Sequence, residues 1–293
     1  MTPANPSPRP PLSPHVRGVL LMVASTVFFT ANVLLTRVLG QGQRVDVWLI
    51  CCARFAIGLA LIGVFYRRDV QPRHLFRNRK LAERGLVGSL GVYGFYLTVV
   101  HLGAGRATFI NTTYVGIGAL LAVWILGERF RIAVAAGSVV ALAGLALLTN
   151  AFGTNAHASA YDLLAVVVAF GSAWVVITIR QLHATEHTST IFAAQCVYGL
   201  LFCGIPAAWQ WRPLTGGAWI MLLVASVAAG AGQLAMTRAF RDLPVAEGSL
   251  LQMLVPLGTG IGGMVFFGEH FTSLELAGAG LILAGTVGTA LRR

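Results

Sequence analysis

Residues 127–130 read Gly-Glu-Arg-Phe, and residues 268–271 read Gly-Glu-His-Phe, 141 positions later. Downstream, the same offset carries Gly137 to Gly278, Ala143 to Ala284 and Gly144 to Gly285. Upstream it carries Phe29 to Phe170, Ala53 to Ala194, Gly58 to Gly199, Gly63 to Gly204, Gly91 to Gly232 and Leu102 to Leu243. Chance glycine matches come easily in a chain with 34 glycines; a repeated Gly-Glu-x-Phe with its downstream glycines does not. One ungapped offset therefore reads as an internal duplication. The expected organisation is a first repeat over 16–150 and a second over 151–293. Residues 1–15 hold six prolines and little apolar bulk, and are expected to be a disordered tail.

What is duplicated is a membrane bundle. The 293 residues are 56% hydrophobic and 11% charged, with a mean hydropathy of +0.76. A soluble domain is about a quarter charged. This composition excludes an ordinary cytosolic enzyme, a disordered protein and a secreted disulfide scaffold. Cys51, Cys52, Cys196 and Cys203 all lie in apolar runs and read as small buried hydrophobes. A helix needs about 20 mainly apolar residues to cross the hydrocarbon core. By that ruler ten spans are expected: 17–38, 46–66, 85–102, 107–126, 131–149, 161–180, 189–208, 217–240, 245–267 and 272–291. The first is read as a retained helix, not a cleaved signal. The fold class is all-α integral membrane.

Each half holds five spans. An odd number makes the second half enter from the opposite face, so the repeats are inverted. Many secondary transporters share that design, with substrate bound near the midplane where the halves meet and the halves rocking to expose it alternately. Loop charges set the orientation. With the N-terminus cytoplasmic, the inside receives 16 Lys and Arg, seven of them between Arg67 and Arg84. The outside receives Arg37, Arg44, Arg106 and Arg212. Both termini are therefore expected in the cytoplasm. The net charge of +11 reads as membrane orientation and lipid-headgroup contact, not nucleic-acid binding.

Ten spans in a five-plus-five repeat, with Gly-Glu-x-Phe before spans five and ten, resemble the EamA-type drug/metabolite transporters over residues 17–291. The resemblance implies a basket in which spans 1, 3, 4, 6, 8 and 9 surround a cavity, with spans 5 and 10 peripheral. It implies export of amino acids or other small metabolites, and location in a bacterial inner membrane. Members of the family often carry a proline in both span 4 and span 9. Here span 9 has Pro256, but its partner at the 141 offset is Val115.

Polar groups inside spans are costly and mark function. The expected substrate-binding set is Phe29 and Asn32 on span 1, Tyr93 and Tyr96 on span 3, and Asn111 and Tyr114 on span 4. Trp174 on span 6, Gln233 on span 8, and Gln252 and Pro256 on span 9 complete it. Rings supply stacking surface and amides hold polar ends. An aromatic or other hydrophobic amino acid would fit; a drug-like, quaternary-amine or nucleoside solute is the alternative cargo. A membrane-embedded lipid-modifying enzyme is the competing class, and no nucleophile, acid/base pair or metal cluster stands out to support it. No cofactor or metal is expected.

Arg54 lies within span 2, away from the expected cavity, so it reads as structural, with Asp46 as the candidate partner. Proton coupling through Glu247 or His101 is open beside facilitated diffusion. Glu128 and Glu269 are expected to cap the helix that follows each. Small-residue stripes, Gly137, Ala141 and Gly144 on span 5 and Gly280, Ala284 and Gly288 on span 10, suit either internal packing or a homodimer seam. Two strings are set aside. Gly258, Gly260 and Gly263 form G-x-G-x-x-G inside a span, and His183, Glu186 and His187 form H-x-x-E-H in a short loop.

Overall fold

The computed structural model describes residues 13–102, 104–129, 131–148, 159–268 and 272–291. Most of the 1–15 tail, together with Phe130, Glu269, His270 and Phe271, lies outside the described residues. Among those described, there is no strand. The helices are α1 (Pro14–Arg37), α2 (Val47–Phe65), α3 (Pro72–Arg77), α4 (Arg79–Leu102), α5 (Ala104–Thr112), α6 (Tyr114–Leu126) and α7 (Ile132–Leu148) in the first half. The second half holds α8 (Ala160–Leu182), α9 (Thr188–Trp209), α10 (Gly216–Asp242), α11 (Val245–Leu251), α12 (Leu254–Phe267) and α13 (Ser273–Leu291). Eight helical segments are long and apolar enough to cross a membrane; Ile132–Leu148 and Ser273–Thr286 are shorter apolar helices.

Local chemistry sets the boundaries. The Ser13 hydroxyl accepts from Val16 N–H ahead of Pro14, so α1 already starts within the proline-rich tail. Asp46 caps α2 through Trp48 N–H, and Thr215 caps α10 through Ala218 N–H. Gly127 and Gly268 end α6 and α12 with φ of 65° and 64°. That left-handed conformation favours glycine, and explains the first letter of the duplicated string.

Spans 4 and 9 are each broken near the middle, into α5/α6 and α11/α12. In span 9 the backbone tightens, with Met253 N–H bonding Leu250 O and Val255 N–H bonding Gln252 O. Pro256 then lacks the N–H that would continue the ladder. Span 4 breaks without a proline. Thr112 Oγ1 donates to Thr108 O and Thr113 Oγ1 to Ile110 O, at 2.6 and 2.7 Å, while Thr113 N–H bonds Ile110 O. Hydroxyls that bond back to the helix loosen its regular ladder.

The packing repeats as the sequence does. The α1–α10 pair has its counterpart in α8–α4, and α4–α9 in α10–α2. The pairs α2–α9 and α7–α13 are their own counterparts. A Cβ on Gly144 would stand 2.5 Å from Gly278 O, and one on Gly285 2.5 Å from Gly137 O. As one chain ascends the other descends, so α7 and α13 are antiparallel. Gly58 against Cys196, and Gly199 against Phe55, show the same for α2 and α9. Equivalent helices thus run in opposite senses, which is the inverted repeat. The span 5 stripe is spent on this seam. Its partners are Gly278 and Gly285, not Gly280 and Ala284; Gly280 meets open space. The outer surface is apolar, with Leu20, Val27, Leu120, Trp124, Val139 and Leu163 all exposed, as lipid contact requires.

Candidate functional site

A cavity of about 200 Å³ lies between the halves. Spans 1, 3, 4, 6, 8 and 9 line it, with one residue each from α2 and α9; α7 and α13 contribute nothing. Of the ten expected site residues it brings together Phe29, Asn32, Tyr96, Asn111, Tyr114, Gln233, Gln252 and Pro256. Asn111 and Gln252 are related by the 141 offset, so each half presents one amide from the break in its fourth span.

Tyr93 and Trp174 lie off the cavity. Tyr93 stacks on Trp48, ring centroids 3.8 Å apart, and meets Phe202 edge-on. Trp174 turns outward and donates from Nε1 to Glu83 Oε1 at 2.7 Å. Helical spacing placed both on the right elements; the aromatic partner of one and the carboxylate partner of the other draw them away.

Arg54 faces the cavity instead of standing apart from it. Its Nη1 donates to Tyr96 Oη at 2.7 Å and its Nη2 to Gln233 Oε1 at 3.2 Å. Tyr96 Oη donates on to Asn32 Oδ1 at 2.8 Å, and Asn32 Nδ2 to Ala225 O at 3.0 Å. One chain of bonds thus ties α10, α2, α4 and α1 together. The guanidinium also lies over the Phe29 and Tyr96 rings, 5.9 and 5.7 Å from their centroids. Asp46 is not its partner, being occupied as the α2 cap. A second amide anchor forms where Gln252 Nε2 reaches Met22 Sδ and Ser25 Oγ. Ser25 Oγ donates in turn to Gly232 O.

Sequence reasoning missed Arg84 and Gln195. Arg84 is counted by position among the loop charges, yet it is fully buried in α4 and lines the cavity. Its Nη2 donates to Gln195 Oε1 at 3.1 Å, and Gln195 Nε2 donates to Gly88 O. A Cβ at position 88 would collide with Arg84 Nη1, so the glycine is what lets the guanidinium lie there. The signal available was the offset itself, because Gln195 is the repeat counterpart of Arg54.

The arginine-rich ends of the helices are held by polar contacts. Glu128 does not cap α7, the helix that follows it. It reaches across the halves to accept from Val245 N–H at the start of α11, with Arg180 3.8 Å away. Burial pushes its carboxyl above the usual range, and the Val245 N–H and Arg180 pull it back. Arg180 also donates to Phe240 O and Arg241 O. His183 Nε2 donates to Thr237 O; burial drives its pKa down to about 4, helped by Arg238, Arg241 and Arg180 and opposed by the Thr237 carbonyl. Glu186 pairs with His74 and Asn78, and His187 caps α9, so the H-x-x-E-H string is divided among separate tasks. Among the described residues no cluster could hold a metal. Glu247 is buried against His15, and His101 stacks on Tyr161; neither lines the cavity.

An inverted-repeat helical bundle with a polar, ring-lined chamber at the join of its halves has the architecture of a membrane transporter. The chain belongs to the EamA-like transporter family, whose model matches residues 16–150 and 159–291, one repeat each. It is 26% identical over 273 residues to the pseudopaline exporter CntI of Pseudomonas aeruginosa, covering 92% of this chain and 94% of that one. It is 25% identical over 135 residues to the threonine/homoserine exporter RhtA of Escherichia coli, covering 43% and 44%. A solved crystal structure superposes with a TM-score of 0.76 at 17% identity, over 94% of this chain and 97% of the other, a likeness of fold.

Proposed function

We propose that this protein exports a small amphipathic metabolite of the amino-acid type through the central cavity by alternating access. The cavity carries the reading: a chamber enclosed by both halves, with rings on its walls and amides, hydroxyls and two guanidiniums among them. Aromatic or other hydrophobic amino acids suit that lining. Arg54 would take a carboxylate, Phe29 and Tyr96 the apolar body, and Asn111, Gln233 and Gln252 the remaining polar ends. The broken helices flanking Asn111 and Gln252 would bend as the halves rock, each half moving about its own fourth span. Ten crossings with both termini cytoplasmic complete the arrangement, and the named exporters among its relatives support the outward direction.

The test is efflux of labelled phenylalanine, leucine and their derivatives from sealed vesicles containing the full-length protein. Efflux above that of empty vesicles, reduced by Gln252→Leu in a variant that melts normally, is expected. Folded protein in sealed vesicles that moves none of these solutes would refute hydrophobic amino acids as the cargo.

A further inference from the structure

The cavity holds two buried guanidiniums, and among the described residues no carboxylate lines it. Arg54 is 7% exposed and Arg84 fully buried. Arginine stays protonated in proteins. An uncompensated charge inside a membrane protein is expensive and is kept for a purpose. Every hydrogen bond shown for the two guanidiniums goes to a neutral group, Tyr96 or Gln233 for Arg54 and Gln195 for Arg84. Two Arg84 nitrogens, Nε and Nη1, form no hydrogen bond within the chain. Arg84 stands near the arginine-rich end of α4 but does not turn back toward water, as a snorkelling side chain would. It lies forward over Gly88, one turn deeper, where the missing side chain leaves room.

The repeat relates the two sites. Gln195 occupies the position in the second half that Arg54 occupies in the first, and Gln195 is the residue that holds Arg84. The guanidiniums are thus anchored at counterpart positions, on α2 and against α9, on the two sides of the axis that exchanges the halves. Each fork has the planar donor geometry that suits a carboxylate.

We infer that the cargo carries two separated acidic groups, one for Arg54 and one for Arg84, with its apolar body against Phe29 and Tyr96. This rests on the carrier reading above and narrows its substrate to a dicarboxylate. A simple hydrophobic amino acid would neutralise one guanidinium and leave the other bare.

The experiment compares phenylalanine with N-carboxymethyl-phenylalanine and 4-carboxyphenylalanine, which add a second carboxylate near and far. Efflux is measured from vesicles holding the full-length protein, in chloride and in gluconate buffer. At least one dicarboxylate should leave roughly tenfold faster than phenylalanine, the size of a lost charge-assisted bond. Arg84→Gln should bring that ratio close to one, and Arg84→Lys should restore part of it. If Arg84→Gln does not fold, the wild type in detergent gives the same answer: the dicarboxylate should raise the melting temperature more than phenylalanine at equal concentration. Phenylalanine moving as fast as both dicarboxylates, in either buffer, overturns the inference and leaves the carrier standing. Phenylalanine favoured only when chloride is present also overturns it, because a free anion then fills the second fork. No flux of any solute overturns both.

Discussion

Tyr96 is the residue on which the cavity wall turns. Its hydroxyl accepts from Arg54 and donates to Asn32. Tyr96→Phe keeps the ring and strands a buried N–H and a buried carbonyl oxygen. We expect a loss of about 1–3 kcal/mol, seen as a lower melting temperature, and slower efflux from vesicles. His183 makes a prediction of opposite kind. It is held neutral in the fold, with a pKa of about 4 against 6.5 for the free side chain. The unfolded chain therefore binds the extra proton first, and stability that is complete above the free value drains away as pH falls toward 4. Melting curves between pH 7.5 and 4.5 should show this decline, and His183→Gln should flatten it. At this scale the sequence was only half legible. Depth along a span marked Asn32, Tyr96 and Gln252, because a polar group among apolar ones stands out. Depth could not say that Arg54 points at the cavity or that Arg84 climbs inward over Gly88; those directions depend on which neighbour leaves a gap.

Among the elements, α7 and α13 meet backbone to backbone at their glycines. Gly144 and Gly278 each abut the other's carbonyl oxygen, at 2.5 Å from where a Cβ would be. Gly144→Ala should therefore force the helices apart and cost about 1–3 kcal/mol, as should Gly278→Ala, while Gly280→Ala, facing open space, should not. Fluorescence-detected melting of the three variants checks the order. The stripe on span 5 was readable from spacing; its partner stripe was not, because spacing offers two faces on span 10 and only docking chooses between them. The break in span 4 was hidden for a similar reason. Proline announces a break in any context, whereas Thr112 and Thr113 break a helix only when their hydroxyls turn to its carbonyls.

For the whole molecule the duplicated string was enough to foretell the antiparallel halves, because an offset without gaps preserves span number and parity. It foretold neither the Glu128 bridge between halves nor the bond from Arg84 to Gln195, contacts that exist only once the repeats face each other. Two loops test the proposed membrane topology: Thr185 follows α8 and Arg212 follows α9, and both are exposed. In intact cells a membrane-impermeant thiol reagent should label Arg212→Cys and spare Thr185→Cys until the membrane is opened. Three of the native cysteines are buried, which keeps the background low. Labelling of both sites in intact cells would contradict the topology.

The pairing of α1 with α10 and of α7 with α13 has one more consequence. Gly18 lies against Leu243 and Gly285 against Gly137, so the chain enters through α1 and leaves through α13 on the same side of the bundle as the α10–α11 and α6–α7 turns. The order in which the halves are translated is then immaterial to their contacts. A circular permutant that begins at residue 159, joins α13 to α1 through a flexible tether and finishes at residue 148 would offer every helix the same neighbours.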